Sequence, residues 1–216
     1  MDLGLSGRPA LVAAASRGLG FASALSLARE GARVAICARD GETVRMAAEE
    51  IRTATGSDVV AITADVSRAD DAVRFVREAA DALGGCHILV TNAGGPPPGR
   101  AVDMTDEDFL RAIELNFLSV VRMVREALPH MRRAAYGRIV AISSSSVKEP
   151  IPGLALSNAA RAAATGYLKT LAREVAAEGI TVNAVLPGRF LTQRTRELAE
   201  SSGNDLDQEP AARAAA

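Results

Sequence analysis

Ser16-Arg17-Gly18-Leu19-Gly20 has the residue types and the spacing to hold a phosphate. Its glycines let backbone approach an anion closely. A helix that starts there offers free N–H groups and the positive end of its dipole. Arg39 follows the next apolar run, and its guanidinium suits a ribose 2′-phosphate, with Arg17 as a second cation. Asp65-Val66, Thr91-Asn92-Ala93-Gly94-Gly95, the serine run from Ser143 to Ser146 ahead of Lys148, and Pro187-Gly188 each follow a further apolar run. Small residues at such places let backbone meet a flat ligand, and hydroxyls and amides there can hold a proton or a substrate oxygen.

These groups need elements that bring them together. Apolar, strand-like runs read as Ala10–Ala15, Arg33–Ala38, Val59–Thr63, Ile88–Asn92, Arg138–Ser143 and Thr181–Leu186. Helical patterns lie between them, over 17–30, 41–55, 68–83, 105–133 and 156–178. Alternation of this kind predicts an α/β fold, a doubly wound parallel sheet with helices on both faces. The strands are almost continuously apolar, as burial on both faces requires. Right-handed crossovers then place the ligand crevice at the carboxyl ends of the strands, where all the groups above fall. Gly31, Gly56, Gly84-Gly85, Gly137 and Gly179 sit where helices need C-caps, and Thr105 with Asp108 predicts a capping box.

The 216 residues suit one domain, and 48% hydrophobic content provides a core. A net charge of −1 gives no electrostatic case for nucleic acid or an anionic membrane. No apolar run approaches the ~20 residues that span a bilayer, and Met1-Asp-Leu-Gly-Leu-Ser6 lacks the pattern of a signal peptide. Cys37 and Cys86 lie inside apolar runs and read as buried free thiols, which predicts a cytoplasmic protein. His87 and His130 have no partners at ligand spacing, so no metal is expected. After Glu200 the composition turns polar and then alanine-rich. Residues 1–200 therefore read as one Rossmann-like dinucleotide-binding domain, and 201–216 as a poorly ordered tail.

In order and spacing, the chain resembles the short-chain dehydrogenase/reductase family from about residue 5 to 195, close in layout to its 3-oxoacyl-acyl-carrier-protein reductases. The family's glycine motif falls on Ala13-Ala14-Ala-Ser-Arg-Gly18-Leu-Gly20, with Ala14 in place of the first glycine. Its Asn-Asn-Ala-Gly motif falls on Thr91-Asn92-Ala93-Gly94. The resemblance implies a three-layer α/β/α fold and catalytic positions at Asn116 and Ser144. It implies a nicotinamide cofactor held by Ser16, Arg17, Gly18, Leu19, Gly20, Arg39, Asp65, Val66, Asn92, Ala93, Gly94, Arg161, Pro187, Gly188 and Thr192. Arg39 favours NADP(H) over NAD(H).

The resemblance also implies a catalytic Tyr and, four residues on, a Lys. Here those positions are Ser157 and Arg161, which share one helix face. A Ser hydroxyl is shorter than a phenol and a far weaker acid, so it does not replace Tyr as proton donor. Arg161 is a permanent cation that can still hold a ribose diol. Tyr167 lies too far along the helix to substitute, which leaves Lys148, or a water held by Ser144 and Ser157, as a proton source. The family's substrate-covering lid and last strand have no counterpart in the sequence. The expected activity is NADP(H)-dependent reduction of a small carbonyl, or oxidation of an alcohol, at a nonstandard site. The alternative is a non-catalytic dinucleotide-binding protein acting as sensor or oligomer partner. The small residues of the fourth and fifth predicted helices, Ala162, Ala163 and Ala164 among them, suit packing into a homodimer or homotetramer.

Overall fold

The apolar runs of the sequence pair side by side. In the computed structural model, which describes residues 1–188 and 190, they form β1 (Pro9–Val12), β2 (Arg33–Ala38), β3 (Val59–Thr63), β4 (Ile88–Thr91), β5 (Gly137–Ile142) and β6 (Ile180–Val185). All neighbours are parallel and the order is β3-β2-β1-β4-β5-β6. The connecting helices are α1 (Gly18–Arg29), α2 (Gly41–Thr55), α3 (Ala69–Leu83), α4 (Asp106–Ile113), α5 (Ser119–Arg133) and α6 (Ala155–Val175). This is the doubly wound, three-layer α/β/α architecture that the alternating pattern predicts. Thr192 and the polar tail lie outside the described residues.

Alternate strand residues serve two cores, because successive side chains point to opposite faces. Leu11, Ala35, Cys37, Leu89 and Ile139 pack with Phe75 of α3, Met123 of α5 and Leu168 of α6. Ala10, Val12, Val34, Ile36 and Val90 pack with Ala24 of α1 and Val44 and Ile51 of α2. Burial on both faces holds for β1 and β4 throughout and for β2 beyond Arg33. It fails at β5, where buried and half-buried residues alternate, and at β6, where only Ile180 is buried. Among the described residues, the α1/α2 layer does not extend over that side of the sheet.

Three local expectations are corrected. The first strand ends at Val12 rather than Ala15, because Ala14 turns into the left-handed region at φ 48°. Gly137 is the first residue of β5 and not a C-cap; Ala135 takes the left-handed turn there at φ 47°. An added Cβ on Gly137 would lie 2.6 Å from the Met131 Sδ, so its glycine is a matter of space. The single helix expected over 105–133 is broken into α4 and α5 by a π-helical turn, Glu114–Leu118, closed by Ser119 N–H donating to the Glu114 carbonyl. The other punctuation is as expected. Gly56, Gly84 and Gly179 cap with positive φ, and Thr105 and Asp108 form a reciprocal capping box.

Candidate active site

The strand order reverses between β1 and β4, and a doubly wound sheet opens its crevice at such a point. Here the glycine turn meets the loop after β4. The Asn92 amide donates to the Ala14 carbonyl at 3.1 Å, tying the two loops together. Gly20 is buried beneath that bond. A Cβ there would sit 2.5 Å from the Ala14 oxygen and 2.8 Å from Asn92 Nδ2, so no other residue fits without a shift. Gly18 has φ 61°, a conformation that favours glycine. α1 starts at this turn with no acidic residue in its first turn and no side-chain cap from Arg17. Its amide end therefore faces the crevice as an anion-attracting surface, and the turn fits a dinucleotide pyrophosphate.

The side of the crevice reached from β2 is cationic. Arg39 is exposed just beyond β2. Asp40, its neighbour, is committed elsewhere: its carboxylate accepts from Thr43 N–H at 2.7 Å and caps α2. Hydrogen bonds from the Thr43 backbone and hydroxyl hold its carboxyl below the usual carboxylate range. Beyond β3, Asp65 accepts from the Ser67 amide and hydroxyl, at 3.0 and 2.7 Å, while Val66 is buried.

The other side of the crevice is built by β4, β5, the π turn and α6. The π turn carries Asn116 inward, where it is 4% exposed. Its Nδ2 donates to the Gly94 carbonyl at 2.9 Å, holding the loop of Ala93 and Gly94. Ser157 and Arg161 lie one turn apart on α6, and Arg161 Nε donates to Ser157 Oγ at 3.2 Å. Arg161 Nη1 also donates to the Ile142 carbonyl at the end of β5, 3.1 Å away. Ser144 is half-buried and accepts from the Ser146 amide at 3.1 Å, capping a short 3-10 turn. Pro187, past β6, accepts from the Ser145 amide at 3.2 Å, and Gly188 is exposed beside it.

Asn92, Ala93, Asn116 and Arg161 line one cavity with Thr91 and Ser143. The sequence reading placed Thr91 and Ser143 in strand-end groups but gave neither a role of its own. Strand periodicity carried the signal, since Ser143 stands two residues beyond the buried Ala141 and Thr91 pairs with Ala141 across the β4–β5 ladder. Ser16, Arg17, Gly18 and Leu19 sit together at the glycine turn, away from that cavity. Lys148 is exposed and does not line the cavity. Neither tyrosine of the chain does either. Tyr167 packs edge-on against Phe117, and burial raises its phenol above the ordinary value. Tyr136 lies between the guanidinium carbons of Arg8 and Arg138, at 3.7 and 4.1 Å from the ring centre.

Comparison with known proteins accords with this geometry. A 3-oxoacyl-acyl-carrier-protein reductase of Staphylococcus aureus is 36% identical over 208 residues, covering 95% of this chain and 84% of the relative. L-sorbose reductase of Gluconobacter frateurii, solved with NADPH and L-sorbose, superposes with a TM-score of 0.88 at 32% identity, over 95% of this chain and 80% of that one. A 7α-hydroxysteroid dehydrogenase solved with NADH and 7-oxo glycochenodeoxycholic acid superposes with a TM-score of 0.85 at 28% identity, over 89% of this chain and 75% of that one. The short chain dehydrogenase model matches residues 8–203, and the chain belongs to the short-chain dehydrogenase family of oxidoreductases.

Proposed function

We propose that this protein is an NADP(H)-dependent carbonyl reductase or alcohol dehydrogenase whose site uses Ser157 and Arg161 where family members use Tyr and Lys. The observation that carries the reading is the Arg161–Ser157 pair, anchored on the Ile142 carbonyl at the carboxyl end of β5. It puts a fixed cation and a hydroxyl one helical turn apart, where a substrate oxygen and a nicotinamide ribose are held in the family. The bound dinucleotide supplies or accepts the hydride. Ser16 to Gly20 and the α1 amides hold its pyrophosphate, with Asn92, Ala93 and Gly94 lining its path. Asp65 and Val66 border the adenine, Pro187, Gly188 and Thr192 the nicotinamide amide, and Arg161 the ribose. Arg39 and Arg17 meet the 2′-phosphate, while Asp40, the carboxylate beside Arg39, accepts from Thr43 and caps α2.

In this reading Ser144 and Ser157 orient the substrate oxygen, and Asn116 fixes the loop over which the proton moves. Arg161 Nε–H points at Ser157 Oγ, so the Ser157 hydroxyl proton is directed away from the guanidinium. A serine is a weaker acid than a phenol, and turnover is expected to be about 10²–10⁴ slower than with a positioned acid. The substrate is a small carbonyl compound or alcohol. The exposed Ala162 and Ala163 of α6 suit a homo-oligomer contact, while Ala164 is used by the core. Two unpaired, buried thiols suit the reducing cytoplasm.

Fluorescence titration with NADPH and NADH, followed by turnover on a panel of oxo-esters and ketones, tests the reading. NADPH should bind more tightly than NADH and support slow reduction. Ser157→Tyr with Arg161→Lys should raise the rate. Tight NADPH binding without turnover in any variant would instead indicate the non-catalytic alternative, and absence of binding would remove both.

A further inference from the structure

We infer that two side-chain braces, the Ser119 hydroxyl and the Glu114–Arg122 ion pair, hold the π turn in place, and that these three are positioning residues for Asn116. Asn116 sits in the middle of the turn and donates from Nδ2 to the Gly94 carbonyl at 2.9 Å. A π turn between two α-helices carries one residue more than α spacing needs. Exchanging backbone bonds one at a time slides that surplus along the chain, so the backbone alone does not fix its place. Side chains must hold it where it turns Asn116 inward.

Ser119 is the first brace. It is fully buried, and its N–H donates five residues back, to the Glu114 carbonyl, rather than four back to Leu115. The Leu115 carbonyl, passed over by that N–H, accepts the Ser119 hydroxyl at 2.6 Å. One residue thus serves two successive carbonyls. Serines and threonines make the same bond in ordinary helices. Thr170 Oγ1, for one, donates to the Gly166 carbonyl at 3.2 Å within α6. There the backbone N–H of an α turn serves that carbonyl as well. The hydroxyl is an addition at Thr170 and a replacement at Ser119. A backbone carbonyl left without a partner in the interior is costly, so the wide turn is favoured where a hydroxyl stands in.

The ion pair is the second brace. Glu114 opens the π turn and Arg122 lies in the first turn of α5, and Arg122 Nη1 donates to Glu114 Oε2 at 2.5 Å. Ion pairs along a helix ordinarily join residues three or four apart. Eight residues of straight α-helix would set the two about 12 Å apart along the axis and about 80° apart around it. The surplus residue brings them onto one face, where the two long side chains meet. The Arg122 side chain is only 19% exposed, and Glu114 is its one hydrogen-bond partner among the described residues. A shift of the wide turn would strand that guanidinium, which is unfavourable for a largely buried charge. The bearing of the braces on turnover rests on the role proposed above for Asn116, whereas the braces themselves do not.

Ser119→Ala tests the first brace. In a crystal structure of this variant the wide turn should be displaced from residues 114–118, with Asn116 Nδ2 off the Gly94 carbonyl. In carbonyl reduction with NADPH, kcat should fall about 10–100-fold while KM changes much less, as misplacement of a group at the reacting centre predicts. A merely destabilised protein would melt earlier and keep its kcat. Thr170→Ala removes a hydroxyl of the additional kind and should leave kcat unchanged. Glu114→Gln, at a half-exposed position, should displace the turn less completely and lower kcat about 2–5-fold. It carries the test if Ser119→Ala does not fold. A Ser119→Ala structure with the turn still at 114–118 and Asn116 still on Gly94 overturns the braces. An equal kcat in Ser119→Ala and wild type overturns their action on turnover, and the same two results in Glu114→Gln do so where it is the variant that folds. Failure of the wild type to reduce any carbonyl of the panel removes the reading of the site, and the crystal structures then decide the braces alone.

Discussion

Strand β1 is buried along both faces and β2 beyond its first residue, whereas β5 buries every second residue and β6 only its first. The first pair lies between α1 and α2 on one side and α3 and α5 on the other. It carries the glycine turn, whose geometry is over-determined by Gly20 and Asn92. The second pair, backed by α5 and α6 on one face, carries Ser143, Ser144 and Pro187. The side of the crevice to which we assign the cofactor is thus a rigid support, and the side proposed for the substrate rests on strands with half the cover. A phosphate-binding turn serves one invariant ligand and gains from rigidity. A side that meets substrates has fewer packing constraints to satisfy when its residues change.

Truncations offer the largest contrast. Ile36→Ala in β2, at a fully buried site, should cost about 2–5 kcal/mol, while Val185→Ala in β6, 51% exposed, should cost about 1 kcal/mol or less, both by urea unfolding. Equal losses would mean that β6 is covered in solution. Glycine replacements come next. Gly20→Ala must displace backbone at Ala14 or the Asn92 amide and should cost about 1–3 kcal/mol with loss of NADPH affinity. Gly188→Ala meets nothing within 4 Å among the described residues and should change stability by about 0.5 kcal/mol or less.

A smaller effect lies at the seam of the two halves, where His87 N–H donates to the Pro9 carbonyl and its own carbonyl accepts from Arg138. Burial, then the nearby Arg8 charge, lowers the His87 pKa below 6.5, and burial with Arg133 lowers that of His130. The folded state then binds fewer protons than the unfolded state. Stability from these groups is present above pH 6.5 and declines as the pH falls below it. His87→Gln should flatten the fall in melting temperature between about pH 6.5 and 5; an unaltered slope would assign the fall to other groups. Least visible are the thiols. Burial pushes Cys37 and Cys86 up to about 12, so neither should react with a thiol reagent at pH 8 until the protein unfolds. Ready labelling of Cys37 in native protein would break the picture of a closed first half.

Two strands of the covered half were legible in sequence to the residue, although β1 was read three residues too long at its end. Arg33–Ala38 and Val59–Thr63 carry their strand signal in unbroken apolar runs, and their bounds agree with the structure. Thr181 to Val185 has the same general composition, yet its cover depends on which helices reach it, and that is a tertiary fact. Ala14 and Ala135 hold left-handed conformations that composition assigns to glycine. Gly20 and Asn92 were legible by type and spacing. The resemblance singled out Ser144 for chemistry, whereas the lining role of Ser143 had to come from the pleat, which tells which serine of the run faces the interior. The π turn left no mark either, since a five-residue turn hydrogen-bonds by register and not by residue type.

That turn acts as a phase shifter. One extra residue in the helical count rotates every later side chain by about 100°. Before it, Ala112 of α4 docks with Leu156 and Ala160 of α6. After it, Met123, Val124 and Ala127 of α5 dock with α3 and the sheet. A straight α-helix through the same residues would keep one of these seams in phase and turn the other aside. Deleting one residue between Glu114 and Leu118 would therefore act as a rotation of one half of the rod against the other, with Asn116 at the swivel.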